Sequence, residues 1–197
     1  QLLIDNLLDF THVSYLHKNT LSADPAEATV PVKVERSDDA VSVSRWILGL
    51  DAPPLFAKAG GFDGKVDRWQ TTTWRAPSTL AFDVGCAKAG TGAQQGDRSQ
   101  GISIWSMHLI TPETETTTHY HWGYVRNFAL DDPNMTKDLH DGAEATFLED
   151  VEMIEAQQKN LDGGSIEGMV DINADKPPLQ MRRIMADLIS AEAAGAE

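Results

Sequence analysis

Cysteine is almost absent: Cys86 stands alone in 197 residues. No disulfide can close within the chain, and no cluster needing two cysteine ligands can be held by it. Cys86 itself reads as a small buried hydrophobe rather than a ligand or nucleophile. Long apolar runs are missing too. None approaches the roughly 20 residues that cross a bilayer. No basic start, apolar stretch and small-residue cleavage site marks a secretory leader. Positive charge is scarce, with 16 Lys and Arg against 30 Asp and Glu and a net charge of −14. Nucleic acid wants a basic face, so it is excluded as a partner. The balance suits a soluble, cytoplasmic protein or docking to a basic partner. No P-loop and no G-x-G-x-x-G occurs, so nucleotide is not expected to bind here.

What is present is an ordinary globular composition, 41% hydrophobic and 23% charged. Residues 1–197 read as one domain with a real core. The most informative pattern lies at the start: Asn6-x2-Asp9-x2-His12-x4-His17. Two histidines behind an acid suit a cation that takes imidazole and carboxylate, with non-haem Fe(II) in the lead. The segment from Gln1 to Thr20 reads as one helix. On it Asn6, Asp9 and His12 descend one side, while His17 lies about 140° from His12. Both histidines can reach one metal only if the helix distorts or ends between them. The competing reading is two unrelated histidines on an amphipathic helix.

A second helix is expected over residues 138–161. Phe147, Val151 and Ile154 make an apolar stripe there, and Asp150 falls roughly 40–60° from its edge residues. Glu149 and Glu152 fall toward solvent. A carboxylate on a core-facing stripe needs a partner. A metal is one, and a nearby amide or arginine is the other.

Between the helices, TVPVKVER, AVSVSRWILGL, VDRWQTTTWRA, STLAFDVGCA, GISIWSMHLITP and ETETTTHYHWGYVRNF read as strands. Pro53-Pro54 and Gly60-Gly61 mark a long loop, and AKAGTGAQQGDRSQG a flexible one. Residues 162–178 read as irregular, followed by a last helix over 179–194. The order predicts an α+β fold, a curved antiparallel sheet of about six or seven strands around a long helix, with a cavity between. His119 and His121 share one strand face, so a cupin-like metal pair stays open; lining the pocket is the other reading. Trp105, His108, His119 and His121 are expected to face the iron helix at least in part, with His108 as a polar substrate contact or a satisfied core histidine.

The residues also carry a resemblance. N-x2-D-x2-H-x4-H, the wording NLLDFTHVSYLH, the stretch HLITPETETTTHYHWG (108–123) and FLEDVEMIEAQQ (147–158) resemble the Rieske non-haem iron oxygenases. The similarity is to the subgroup of vanillate and dicamba O-demethylase oxygenase components. It implies a helix-grip fold and Fe(II) on His12, His17 and Asp150. Asn6 and Asp9 join the site, and Asp9 links it to a Rieske [2Fe–2S] cluster in a neighbouring subunit of a homotrimer. Electrons would come from NADH through a reductase or ferredoxin. O2 and an aromatic acid would be the substrates, and O-demethylation the reaction. A Rieske centre needs two Cys and two His, so this chain cannot hold one. The expectation is that residues 1–197 are the C-terminal, catalytic part of a longer polypeptide. A helix-grip module that binds a ligand without iron is the alternative.

Overall fold

The structure is a computed structural model that describes residues 1–18, 20–21, 24–163 and 171–195. Six strands form one antiparallel sheet in sequential order: β1 (Lys33–Arg36), β2 (Ala40–Leu50), β3 (Val66–Arg75), β4 (Thr79–Lys88), β5 (Ile102–Pro112) and β6 (Thr118–Arg126). Among the described residues five α-helices accompany it: α1 (Leu2–Leu8), α2 (Val13–Leu16), α3 (Pro54–Gly60), α4 (Pro133–Asp162) and α5 (Lys176–Gly195). The expected α+β architecture, a sheet gripping a long helix, is what the chain adopts.

Alternation decides which strand face is covered. Val41 and Val43 on β2, Trp74 on β3, Leu80 on β4 and Ile110 on β5 point inward and are buried. They pack against Ile4, Leu7 and Leu8 of α1 and Met181 and Ile184 of α5. The i, i+3, i+4 spacing in LLIDNLL supplies that apolar stripe. A second cluster joins Met135 and Leu139 of α4 to Phe56 of α3 and to Val66, Cys86 and Ile104 of the sheet. Burial pushes the Cys86 thiol up to about 12, so it is an inert core residue.

α4 begins where its sequence says it should. Asp132 accepts from Asn134 N at 2.9 Å, and Pro133 occupies the first turn, where its missing N–H costs nothing. Its 30 residues span about 45 Å and lie across the inner face of β5 and β6. The ring of Phe147 stands 5.5 Å from that of Tyr120 and 5.2 Å from that of Trp122.

The outer face is covered over its middle strands only. The β4–β5 connection folds back there, with Arg98 lying 4.6 Å over the Trp69 ring and pairing with Asp83. Trp69 donates to the other oxygen of Asp83 at 2.8 Å. A Cβ at Gly85 would come within 2.2 Å of the Trp69 ring, so only glycine fits beneath it. This stretch, read from composition as a flexible loop, is an ordered cap.

Other boundaries differ from expectation. The Gln1–Thr20 segment is two helices, because Asp9 leaves the helical region at φ −92, ψ 120. The Pro53–Gly61 loop contains α3, started by its own prolines. α5 begins at Lys176, and the irregular stretch expected over 162–178 lies partly outside the described residues.

Beneath the α1–α2 break sits a buried polar network. Arg45 Nε donates to Gln70 at 2.7 Å and Arg45 Nη1 to the Glu27 carbonyl at 2.7 Å. Arg68 Nη1 donates to the Glu27 carboxylate at 2.9 Å. The Arg45 guanidinium lies 5.2 Å from the Phe10 ring centroid. Burial, then the neighbouring Arg68, lowers the Arg45 pKa to about 10, which still leaves it charged. The sheet is thereby tied to the turn that separates Asp9 from His12.

Candidate metal centre

The turn at Asp9–Thr11 is built by Asp9 itself. Its carboxylate accepts from Thr11 N and Thr11 Oγ1, both at 2.7 Å, and from His12 N at 3.2 Å. Burial alone would raise the Asp9 pKa; those hydrogen bonds and the nearby His12 outweigh it and hold it below the ordinary carboxylate value. The chain then makes a single helical turn, α2, with His12 at its N-cap and His17 at its C-cap. His17 has φ −99 and ψ 29, outside the helical region. The turn between the histidines is unbroken, with Leu16 N donating to the His12 carbonyl at 2.8 Å and His17 N to that of Val13 at 3.1 Å, so the rings converge without the break expected between them. The two imidazoles stand with centroids 5.2 Å apart and planes at 77°.

Both rings meet α4 at Asp150. His17 Nε2 lies 3.1 Å, and His12 Nε2 3.7 Å, from Asp150 Oδ1. Potential ligand atoms of His12, His17 and Asp150 all fall within 4.8 Å of one another. His17 is 1% and Asp150 5% exposed, so the cluster is withdrawn from water. Asn6 Nδ2 donates to Asp150 Oδ1 at 3.0 Å, which brings a third motif residue to the same carboxylate. Two imidazoles and one carboxylate facing a common point are the donor set of non-haem Fe(II) sites, and the residues present fit that ion.

Glu149 was expected to point to solvent, and this is corrected. Its carboxylate sits 2.7 Å from His17 Nδ1 and remains one-third exposed. The helical wheel measured direction from the sheet-facing stripe of α4, but α2 packs on the flank of that helix and meets Glu149 there. Burial works against a charge on His17; Asp150 and Glu149 outweigh it and hold its pKa above the ordinary value. Among the described residues His12 Nδ1 has no such partner: Asp9 Oδ2 is 3.7 Å away, beyond a hydrogen bond.

A cavity of about 470 Å³ opens beside Asp150, walled by Leu3, Tyr120, Phe147, Val151 and Ile154. Of the strand residues expected to line it, His108 alone faces inward. His108 is 2% exposed, with Nδ1 2.6 Å from the Tyr120 hydroxyl and Nε2 2.9 Å from Ser106 Oγ. Burial drops its pKa to about 4, so the ring is neutral at pH 7. Trp105, His119 and His121 are corrected. They lie on the outer face and are exposed, because β5 and β6 alternate and the inward places belong to Ile104, Ser106 and His108 and to Tyr120, Trp122 and Tyr124. His119 and His121 stack at 6.4 Å, and among the described residues no third ligand joins them in a metal cluster, which removes the cupin-like arrangement. Tyr120 and Glu149 are the site residues that sequence reasoning missed.

Residues 1–191 match the family described as the vanillate O-demethylase oxygenase C-terminal domain. The chain belongs to that family. It is 40% identical over 199 residues to the toluene-4-sulfonate monooxygenase system iron-sulfur subunit of Comamonas testosteroni, covering 99% of this chain and 57% of that one. It is 36% identical to the vanillate O-demethylase oxygenase subunit of a Pseudomonas species, covering 98% of this chain and 60% of the other. The crystal structure of dicamba monooxygenase with non-haem iron and dicamba superposes with a TM-score of 0.74 at 27% identity, over 98% of this chain and 54% of that one. The chain thus spans little more than half the length of the relatives it matches. The resemblance carried by the N-x2-D-x2-H-x4-H and FLED motifs is to the right family. Among the described residues no helix is long and apolar enough to cross a membrane.

Proposed function

We propose that residues 1–197 are the catalytic, mononuclear-iron domain of an oxygenase component that removes a methyl group from a methoxylated aromatic acid such as vanillate. The single observation that carries this reading is the convergence of His12, His17 and Asp150 beside a cavity with one apolar wall. Fe(II) bound there supplies O2 activation, because three protein ligands leave positions open. The chain's own residues do the rest. His12 and His17 offer their Nε2 atoms and Asp150 an oxygen, while Asn6 holds that carboxylate in place. Phe147, Tyr120, Val151 and Ile154 offer an apolar wall to an aromatic ring, while Glu115, Gln158 and Lys159 make the rest of the cavity polar. His108 holds the Tyr120 hydroxyl, so it acts on the substrate through Tyr120.

The overall reaction consumes the methyl ether, one O2, one proton and two electrons delivered as hydride by NADH. It yields the phenol, formaldehyde, water and NAD⁺, after the hydroxylated methyl group collapses as a hemiacetal. The electrons pass through a reductase or ferredoxin and a Rieske [2Fe–2S] cluster. With Cys86 as its one cysteine, this chain does not ligate that cluster. In the proposed homotrimer the cluster of a neighbouring subunit lies near Asp9, which lines a smaller cleft of about 210 Å³ with Asp5, Asn6 and Arg182. The setting is the cytoplasm, where NADH is available.

Anaerobic titration with Fe(II) tests the site. One ion per chain, lost when His12, His17 or Asp150 is replaced by Ala, is the expected result. A cavity that binds aromatic acids without any metal would make the chain a helix-grip binding module instead.

A further inference from the structure

We propose that Glu149 is a positioning residue for His17. Its carboxylate accepts the Nδ1 proton, which fixes the ring's tautomer and direction so that Nε2 is presented as a bare lone pair beside Asp150. The inference rests on the iron reading above and deepens it.

The geometry is one-sided. Glu149 and Asp150 are consecutive on α4, so their side chains leave the helix about 100° apart. His17 bridges that angle with its two nitrogens. Nδ1 lies 2.7 Å from Glu149 Oε2, and Nε2 lies 3.1 Å from Asp150 Oδ1. The same Glu149 oxygen also accepts from Thr20 Oγ1 at 3.4 Å, so it is held from the chain just beyond His17. A neutral imidazole carries one proton. With the Nδ1 proton held by a carboxylate, the lone pair falls on Nε2, where a metal needs it. A histidine ligand whose other N–H is held this way is also a more basic donor.

The other histidine has no equivalent. Among the described residues His12 Nδ1 is buried without a hydrogen-bond partner, and the Asp9 carboxylate oxygen is 3.7 Å away. The two ligands are therefore unequal before any metal arrives. His17 is held through Nδ1 by Glu149, whereas His12 is held by packing against the His17 ring. Glu149 is the part of the site that pre-forms it.

Metal affinity and ring tautomer together test the assignment. Fe(II) and Co(II) dissociation constants would be measured anaerobically by competition with a chelator for the parent protein and for Glu149→Ala, Glu149→Gln and Glu152→Ala. The tautomer of His17 would be read from ring ¹⁵N shifts in the Zn(II)-loaded protein. Glu149→Ala is expected to weaken binding 10- to 100-fold and to mix the His17 tautomers. Glu149→Gln, whose amide oxygen still accepts, should recover part of the affinity and the single Nδ1–H tautomer. Glu152→Ala removes an exposed charge from the same helix and should change neither. Unchanged affinity and tautomer in Glu149→Ala overturn the proposal, as does an equal loss in Glu152→Ala, which would reduce the effect to net charge. If the parent protein binds neither ion, the iron reading fails and takes this inference with it. If the parent binds and Glu149→Ala binds as well, the iron reading stands and only this inference is lost.

Discussion

Asn6 and Asp150 are 144 positions apart in sequence, and Asn6 Nδ2 donates to Asp150 Oδ1 at 3.0 Å. That bond joins the first helix to the long one at the point where both histidines converge. It explains why an amide belongs in the motif. A carboxylate at position 6 would repel Asp150, whereas an amide donates to it and leaves the second oxygen and the remaining lone pairs for a cation.

Asn6→Ala should therefore weaken Fe(II) binding by roughly 10-fold with a stability loss of only about 1 kcal/mol. Chelator competition and urea denaturation measure the two. Undiminished affinity would show that Asp150 is oriented by its own rotamer and by His17 alone.

Asp9 shapes the turn through three hydrogen bonds from Thr11 and His12. Asp9→Asn keeps a side-chain oxygen that can accept from Thr11 N, so iron and substrate binding should persist. Under the proposed function, oxidation of the reduced cluster in the complete oxygenase should slow, because the proposed link through Asp9 loses its charge. Stopped-flow absorbance at the cluster follows it. A normal rate would confine Asp9 to its structural role in the turn.

His108 supplies a pH test of the fold. Burial holds its pKa near 4, below the ordinary 6.5, so the unfolded chain binds a proton in this window that the folded chain does not. Stability from this group is complete above about pH 6.5 and is lost as pH falls toward 4, by on the order of 3 kcal/mol. His108→Phe should flatten that part of the stability curve relative to the parent. It also removes the partner of the Tyr120 hydroxyl and should loosen aromatic-acid binding while leaving iron content unchanged. Parallel pH profiles for parent and variant would mean that the ring is not buried neutral.

How much of this was legible in the sequence differs from element to element. Binary alternation gave the six strands, because each buries one face, and the motif residues pointed to the site. The break after Leu8 was hidden, since Asp9 is tolerated inside a helix; only its bonds to Thr11 and His12 show that it ends one. Glu149 was hidden for another reason. A wheel locates a helix's core side but not a second helix on its flank. Tyr120 left a readable signal: in HYHWGY the aromatics Tyr120, Trp122 and Tyr124 alternate with His119 and His121, so the histidines had to take the opposite face. The Arg45–Glu27–Arg68 network could not be read at all, because it joins three segments whose contact depends on the completed sheet.

That network makes a stability prediction. Glu27 is 2% exposed and Arg68 3% exposed. Glu27→Ala keeps the carbonyl that Arg45 uses but leaves the Arg68 guanidinium buried without its carboxylate, and should cost about 3–5 kcal/mol. Urea denaturation of Glu27→Ala against Arg68→Met in the same background reads it, and the second change should restore part of the loss. A cost under about 1 kcal/mol would show that water reaches the arginines.

The most direct test of the central claim is the iron content of the protein after anaerobic loading and desalting, compared across two sets of variants. One Fe(II) per chain is expected in the parent and in the His119→Ala, His121→Ala double variant. None is expected in Asp150→Ala, with circular dichroism showing that the fold survives. Full iron occupancy in Asp150→Ala, or loss of iron with the two strand histidines, would contradict it.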